Sequence, residues 1–343
     1  SPRATKDIMK KILLSVIQTY FQIRSWYPLW RMINYRAIRL WPHPYVNALQ
    51  RQIVSDLSSC GIAVAHIDWF LPIDMREALY AEVAALSHKD ARTQTSKPFL
   101  ESLIDAGSEV SFDSAITQFS LHWAIRGIAN AYLGMRTKYY YHTLNRTNPV
   151  EKDAVPQKSQ RWHRDPEDKK LCIIFLYLTD VDETAGPLMY VRHSAYGMKY
   201  SNVFPQRPPI GYYPKDGEVE RVIDPKDIMT LTGKKGTLIF CDTTGLHKGG
   251  YATEKERLMF TGGYKSPSSI TPLRVKYPDG NNLFELTLAP KMRFSKALFR
   301  LHGRLSTYFG KDPYNANVCE MQDCPVKADN GLFCVAHADR ICV

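Results

Sequence analysis

Residues 236–264, GTLIFCDTTGLHKGGYATEKERLMFTGGY, set two apolar strand-like runs, 236–241 and 256–264, on either side of a segment of Gly, Thr and Asp. Neither run is long enough for a helix, and both are bounded by turn residues, so each reads as a short buried strand. Working outward, further strands are predicted at 137–144, 159–163, 171–179, 187–193 and 229–232, with Pro, Gly and Asn in the connections. Many short strands without intervening helices indicate a sandwich or barrel rather than a parallel α/β sheet.

The flanks differ. Helical patterns cover 7–23, about 45–59, 73–87 and 114–133, the last ending at Gly134, where a C-capping glycine belongs. Residues 88–113 are polar and patternless and read as a loop or a poorly ordered flap, and 194–228 is a long connection rich in Pro, Gly and Tyr. Beyond 270 the chain turns helical again, with 291–309 amphipathic and basic. The expected organisation is one integrated α+β domain that is mainly β with helical additions. A basic, Trp/Arg-rich helical layer spans 1–60, a β core 61–270, and a helical extension with a Cys-containing tail 271–343.

Chemistry concentrates at Arg161-Trp162-His163-Arg164-Asp165 and Gly245-Leu246-His247. In an extended strand residues i and i+2 share a face, so His163 and Asp165 can point at one place while Arg164 faces away. His247 follows a strand and a turn and reaches the same point if the two strands lie side by side. Two His and one carboxylate leave open coordination positions, the facial arrangement of non-haem Fe(II) oxygenases, although zinc hydrolases also use mixed His and carboxylate ligands. Arg257 opens the apolar run RLMFTGGY. A guanidinium there is costly to bury without an anion, and a bidentate carboxylate is its natural partner. The zinc reading would also need an acidic general base, and no sequence candidate stands out near the triad.

These residues resemble the iron- and 2-oxoglutarate-dependent dioxygenases, and within them the phytanoyl-CoA dioxygenase-like branch. The resemblance spans roughly 60–265 and rests on Gly61-Ile62-Ala63-Val64, AYLG at 131–134, WHRD at 162–165, FLYLTDVDETAGPLMYVRHS at 175–194, GTLIFCDTTGLHKGG at 236–250 and ERLMFTGGY at 256–264. It implies a double-stranded β-helix (a jelly-roll, cupin-like barrel). It also implies His163, Asp165 and His247 as catalytic iron ligands, Arg257 as the residue binding the far carboxylate of 2-oxoglutarate, and Fe(II), 2-oxoglutarate and O2 as cofactor and cosubstrates. The implied reaction hydroxylates an unactivated C–H bond and releases succinate and CO2. Two departures stand out: Met259 occupies a position where some branches carry Ser, and His193-Ser194-Ala195 replaces the usual Gly-Ser-His.

Further candidates carry a role beside an ordinary one. Tyr141 and His142 sit on a predicted strand and can touch the cosubstrate, Tyr139 and Tyr141 being expected on one face and Tyr140 and His142 on the other. Trp162, Arg192, His193 and Lys248 are substrate candidates, or else packing and solvated strand ends. The 343 residues are 44% hydrophobic and carry 45 Lys+Arg against 34 Asp+Glu, a net charge of +11. That balance favours an anionic partner, whether substrate, membrane surface or nucleic acid, and with the Arg/Trp-rich N-terminal layer it points to a small-molecule or lipid-linked substrate that is anionic. Arg24, Arg31, Arg36, Arg39 and Arg51 interleave with Trp26, Tyr27, Trp30, Tyr35 and Trp41, which suits a helical layer packed on the core or peripheral membrane contact. No nucleic-acid-binding signature accompanies the charge. Residues 7–23 are too short and polar for a bilayer span and no signal peptide is visible, so the expected location is cytoplasmic or peripheral to a membrane. A non-catalytic barrel serving as a membrane-surface binding module is a further alternative, but such a module would tolerate loss of a ligand and none is missing. Cys319, Cys324, Cys334 and Cys342 lie in the tail as free thiols, disulfides or zinc ligands.

Overall fold

The computed structural model describes residues 27–39, 46–87, 93–94, 99–151, 154–206, 213–269, 271 and 273–276, with scattered positions between 8 and 19. The expectations for 291–309 and for the four tail cysteines lie outside the described residues. In chain order the elements are helices α1 (Tyr27–Ile33), α2 (Tyr35–Arg39) and α3 (Ala48–Cys60), strand β1 (Ile62–His66), α4 (Ile73–Ser87), β2 (Thr93–Gln94) and β3 (Leu100–Ile104). There follow α5 (Ala115–Leu121), α6 (Trp123–Leu133), β4 (Lys138–Thr147), β5 (Leu171–Tyr177), β6 (Leu188–Val191), α7 (Glu218–Val222), β7 (Ile228–Leu231), β8 (Thr237–Cys241), β9 (His247–Lys248) and β10 (Arg257–Lys265).

The strands form a seven-stranded sheet in the order β1-β8-β5-β10-β4-β3-β2 and a three-stranded sheet in the order β7-β6-β9. His163 adds a fourth member to the smaller sheet through an antiparallel bridge to His247. Strands β4, β10, β5 and β8 thus oppose the 163 segment, β9, β6 and β7, which is the strand order of a double-stranded β-helix. Among the described residues the two sheets do not join into one hydrogen-bonded ring.

Strand β5 shows why the fold is specified. Its seven residues, LCIIFLY, are all buried. Leu171, Ile173, Phe175 and Tyr177 pack with Leu188, Tyr190 and Leu231 of the smaller sheet. The intervening Cys172, Ile174 and Leu176 pack instead with Ile128 and Leu133 of α6 and Leu57 of α3. A strand covered on both faces reads as a continuous apolar run, and its period-2 geometry deals successive residues to two cores.

Several predicted elements move. The helix expected at 114–133 breaks at His122, whose backbone is extended (φ −56°, ψ 136°), so that α5 and α6 both press Ile116, Phe119, Ile125 and Ile128 onto the sheet. Gly134 is the left-handed C-cap (φ 68°) that the sequence predicts. The expected loop at 88–113 contains β3, which extends the large sheet by pairing Ser102 with Asn145. The expected strand at 159–163 is a 3-10 turn at Lys158–Gln160 followed by the single bridge at His163. At the N-terminus Trp30 is buried, and the Asn34 side chain exchanges hydrogen bonds with Ser268, so α1 and α2 are docked on the chain that leaves β10. No helix among the described residues is long and apolar enough to cross a membrane.

Candidate metal and cosubstrate site

His163 and His247 come together through the backbone. Each donates its N–H to the other's carbonyl at 3.0 Å, and Asp165 N donates to the Thr243 carbonyl at 2.9 Å. The turn that delivers His247 is fixed by Asp242, a fully buried carboxylate. It accepts hydrogen bonds from Tyr132 Oη (2.6 Å), Thr244 Oγ1 (2.7 Å) and Thr244 N (3.0 Å). Burial raises its pKa, and the bonds from Tyr132 and Thr244 hold it back. Gly245 is required by close approach, because a Cβ there would meet Tyr190 Oη at 2.2 Å.

One ligand atom from each of His163, Asp165 and His247 lies within 4.8 Å of the others. His163 Nε2 is 3.9 Å and His247 Nε2 3.8 Å from the Asp165 carboxylate, and the imidazole centroids are 4.2 Å apart. The opposite nitrogens are tied to the main chain: His163 Nδ1 meets the Arg161 carbonyl at 2.8 Å and His247 Nδ1 the Gly245 carbonyl at 3.0 Å. A carbonyl only accepts, so each Nδ1 carries a proton, and in the neutral ring the Nε2 lone pair faces the aspartate side. Two neutral imidazoles and a carboxylate on one side of a point are the donor set of a divalent metal with open positions.

The triad lines a cavity of about 370 Å³ together with Arg257, Tyr141, Phe175, Met259 and Thr261. Arg257 is 3% exposed. Its Nη2 donates to Thr147 Oγ1 at 3.4 Å, while Nε and Nη1 are buried and meet no acceptor among the described residues. Burial lowers the guanidinium's pKa, and the nearby Tyr177 hydroxyl pushes it back up. Buried donors left without acceptors are expensive, and a carboxylate in the cavity would accept from one edge of this guanidinium. Arg257 and Thr147 face each other across the β10–β4 pairing, so a threonine hydroxyl stands beside the guanidinium.

Tyr141 reaches the cavity and His142 does not. Pairing of β10 with β4 slips between Gly263 and Tyr264, which face Tyr141 and Tyr139, so Tyr140 is the extra residue of a bulge. The bulge overturns the strict alternation expected from the sequence. Tyr140 and Tyr141 lie together with ring centroids 4.7 Å apart, whereas His142 turns back to Tyr139 Oη at 2.9 Å and packs against Phe260 on the helix side. Burial there lowers the His142 pKa to about 4.

The four substrate candidates are engaged elsewhere. Trp162 is buried and donates Nε1 to Glu220 at 2.7 Å. Lys248 lies 4.7 Å from the Trp162 ring centroid and 3.3 Å from the same carboxylate, so the two secure α7. Arg192 donates to the Lys226 carbonyl at 2.6 Å, and His193 Nδ1 meets the Ser59 carbonyl at 2.7 Å near the end of α3. None of these four lines the cavity that holds the triad.

Other residues were hidden from sequence patterns. Arg164 faces away from the ligands, as its alternation requires, and donates to the carbonyls of Ser194, Tyr200, Val203, Phe204 and Thr244 at 2.5–2.9 Å. Burial draws its pKa down to about 10, which leaves it cationic at neutral pH. It pins the first part of the long 194–228 connection to the ligand-bearing turn. Tyr213, from the same connection, stacks on His163 at 5.7 Å, and Gln206 donates to the Asp165 carbonyl. Glu167 and Arg274 also line the cavity and meet at 2.6 Å. The Glu167 pKa is pushed up to about 7 by burial first and the Asp165 charge second, with Arg274 opposing. An acidic group therefore stands near the triad, where no sequence pattern marks one. The only signal for Glu167 was its spacing of two from Asp165, and Arg274 lies more than a hundred residues away.

Comparison with known proteins matches residues 117–259 to the family model of phytanoyl-CoA dioxygenase (PhyH). A search of curated proteins gave no match. Among solved structures, the chain is similar to the epimerase SnoN in complex with Fe3+, alpha ketoglutarate and nogalamycin RO, with 16% identity and a TM-score of 0.49 over 64% of this chain and 85% of that one. It is similar to EctD from S. alaskensis with 2-oxoglutarate and 5-hydroxyectoine, with 18% identity and a TM-score of 0.46 over 66% and 78% of the two chains. It is also similar to HygX from Streptomyces hygroscopicus with nickel, 2-oxoglutarate and hygromycin B, with 13% identity and a TM-score of 0.43 over 67% and 93%.

Proposed function

We propose that the chain, whose residues 117–259 match the phytanoyl-CoA dioxygenase family model, is a non-haem Fe(II)- and 2-oxoglutarate-dependent oxygenase that hydroxylates a C–H bond of a small molecule. The observation that carries this reading is the convergence on one cavity of two kinds of group. One is a His-Asp-His triad with both Nε2 atoms turned to the carboxylate. The other is a buried arginine with unpartnered donors. Zinc hydrolysis would use the first but has no need of the second.

In this assignment His163, Asp165 and His247 hold iron, and the main-chain carbonyls on their Nδ1 atoms fix the imidazole tautomers. Arg257, with Thr147 beside it, takes the distal carboxylate of 2-oxoglutarate. Bound iron with 2-oxoglutarate and O2 supplies an oxidant strong enough for an unactivated C–H bond, so that R–H, 2-oxoglutarate and O2 give R–OH, succinate and CO2. The protein's own part is positioning and exclusion of water. Phe175, Leu188 and Met259 keep the lining partly apolar, and Arg164 holds the covering connection in place. A cavity of about 370 Å³ suits a small molecule beside the cosubstrate. The test is stoichiometric: with Fe(II), O2 and 2-oxoglutarate, succinate and CO2 should form in equal amounts and fall to background in Asp165→Ala. Folded wild-type protein that forms neither would contradict the assignment.

A further inference from the structure

The cavity contains a second polar pair that the iron and cosubstrate do not use. Glu167 is 9% exposed and lines the cavity with the triad. One of its oxygens, Oε1, accepts from Arg274 Nη2 at 2.6 Å; the other, Oε2, is buried and meets no donor among the described residues. A buried carboxylate oxygen without a donor costs about 1–3 kcal/mol or more, so the site is built for a donor that arrives with a ligand. Arg274 does not donate to it, its Nη2 being spent on Oε1. Its backbone N–H is tied to the Tyr140 carbonyl at 2.7 Å, its guanidinium lies 5.5 Å from the Tyr141 ring centroid, and its side chain is 49% exposed.

The charges around the pair define what can enter. Arg257 is committed to the cosubstrate and Asp165 to the metal, leaving Glu167, Arg274 and the exposed Asp105 of the same lining. Two carboxylates against one paired guanidinium do not favour an anion, whatever the net charge of the whole chain. Ser102 and Thr143 also line the cavity.

We infer that Glu167 and Arg274 are the substrate-recognition pair. Oε2 of Glu167 accepts a hydrogen bond from a hydroxyl or ammonium group of a small, uncharged or cationic polar substrate, and Arg274 holds the carboxylate in position. This rests on the oxygenase reading and replaces the anionic substrate expected from composition.

The test uses the full chain loaded with Fe(II) and 2-oxoglutarate. The anaerobic visible absorption band of the chelate serves as the check that the site is folded and occupied. Succinate release above the probe-free rate is then measured with three probe sets: amino sugars such as glucosamine, neutral polyols such as inositol, and anions comprising a fatty acyl-CoA and glucose 6-phosphate. Stimulation is expected from the amino or polyol set, with KM for the active probe raised about tenfold or more in Glu167→Gln. Glu167→Asp, which keeps the charge but withdraws it by one methylene, should raise KM in the same direction and stands in if the first variant does not fold. Stimulation by the anionic set alone, by no set, or by an active probe whose KM neither variant changes would overturn the inference while the band leaves the oxygenase reading intact. Loss of the band in wild-type protein would instead remove that reading.

Discussion

The two faces of the large sheet are built from the same strands and do opposite work. On the helix face of β10 and β4, Phe260 packs edge-on against Phe119 at 5.6 Å, and His142 Nδ1 meets Tyr139 Oη at 2.9 Å. On the other face the neighbouring residues of the same strands, Arg257, Met259, Thr261, Tyr141 and Asn145, line a cavity and leave a guanidinium without acceptors. Adjacent positions one pleat apart thus belong to a dry core or to a polar pocket. A helix-face residue should matter for stability and a pocket-face residue for binding, and that division can be broken experimentally.

The largest effect expected is on the pocket side. Asp165→Ala should lower succinate formation by at least roughly a thousandfold, beyond the 10–100-fold that even an outer partner of a metal ligand is worth, with little change in melting temperature. On the helix face, Phe260→Ala should cost about 3–5 kcal/mol by cavity formation, seen as a lowered denaturation midpoint, while protein that remains folded still binds iron and 2-oxoglutarate. Next, Arg257→Ala should weaken 2-oxoglutarate about thirtyfold, near 2 kcal/mol for a lost charged hydrogen-bonding partner, read from KM for the cosubstrate.

The smallest effect separates the histidines by pH. His142 is held at about 4 and His122 at about 4, each chiefly by burial. A folded-state pKa below the unfolded value of about 6.5 means that the unfolded chain takes up the proton first. Stability therefore falls as pH drops from about 6.5 and levels off below about 4. His142→Phe should remove its share, on the order of 1–3 kcal/mol, from that acid-side loss in denaturant titrations. An unchanged slope would place the His142 ring in contact with water, contrary to the division of faces.

Much of this was legible in the sequence because it is local. The i, i+2 spacing of His163 and Asp165, the apolar runs of β5 and β8, and Gly134 as a cap follow from backbone periodicity. The faces around Tyr139–His142 were not legible, because a bulge set by pairing with Gly263 and Tyr264 breaks the period of two. Strand β3 escaped because a polar Ser102 toward the cavity and a register shift between Ser102 and Ile104 leave its LESLI sequence without apolar alternation. Arg164 was legible in direction but not in role, since five carbonyls from distant turns accept its donors. Glu167 and Arg274 meet only through the tertiary fold. The substrate candidates Arg192, His193, Trp162 and Lys248 were chosen by nearness in sequence to the ligands or strand ends, and their side chains are consumed by local hydrogen bonds and packing.

The most direct measurement of the central claim is anaerobic addition of Fe(II) and 2-oxoglutarate to the full chain, followed in the visible range. Wild-type protein should show a weak charge-transfer band that is lost in His163→Ala and shifted to higher 2-oxoglutarate concentration in Arg257→Ala. Well-folded wild-type protein without the band, or a band unchanged by His163→Ala, would contradict it.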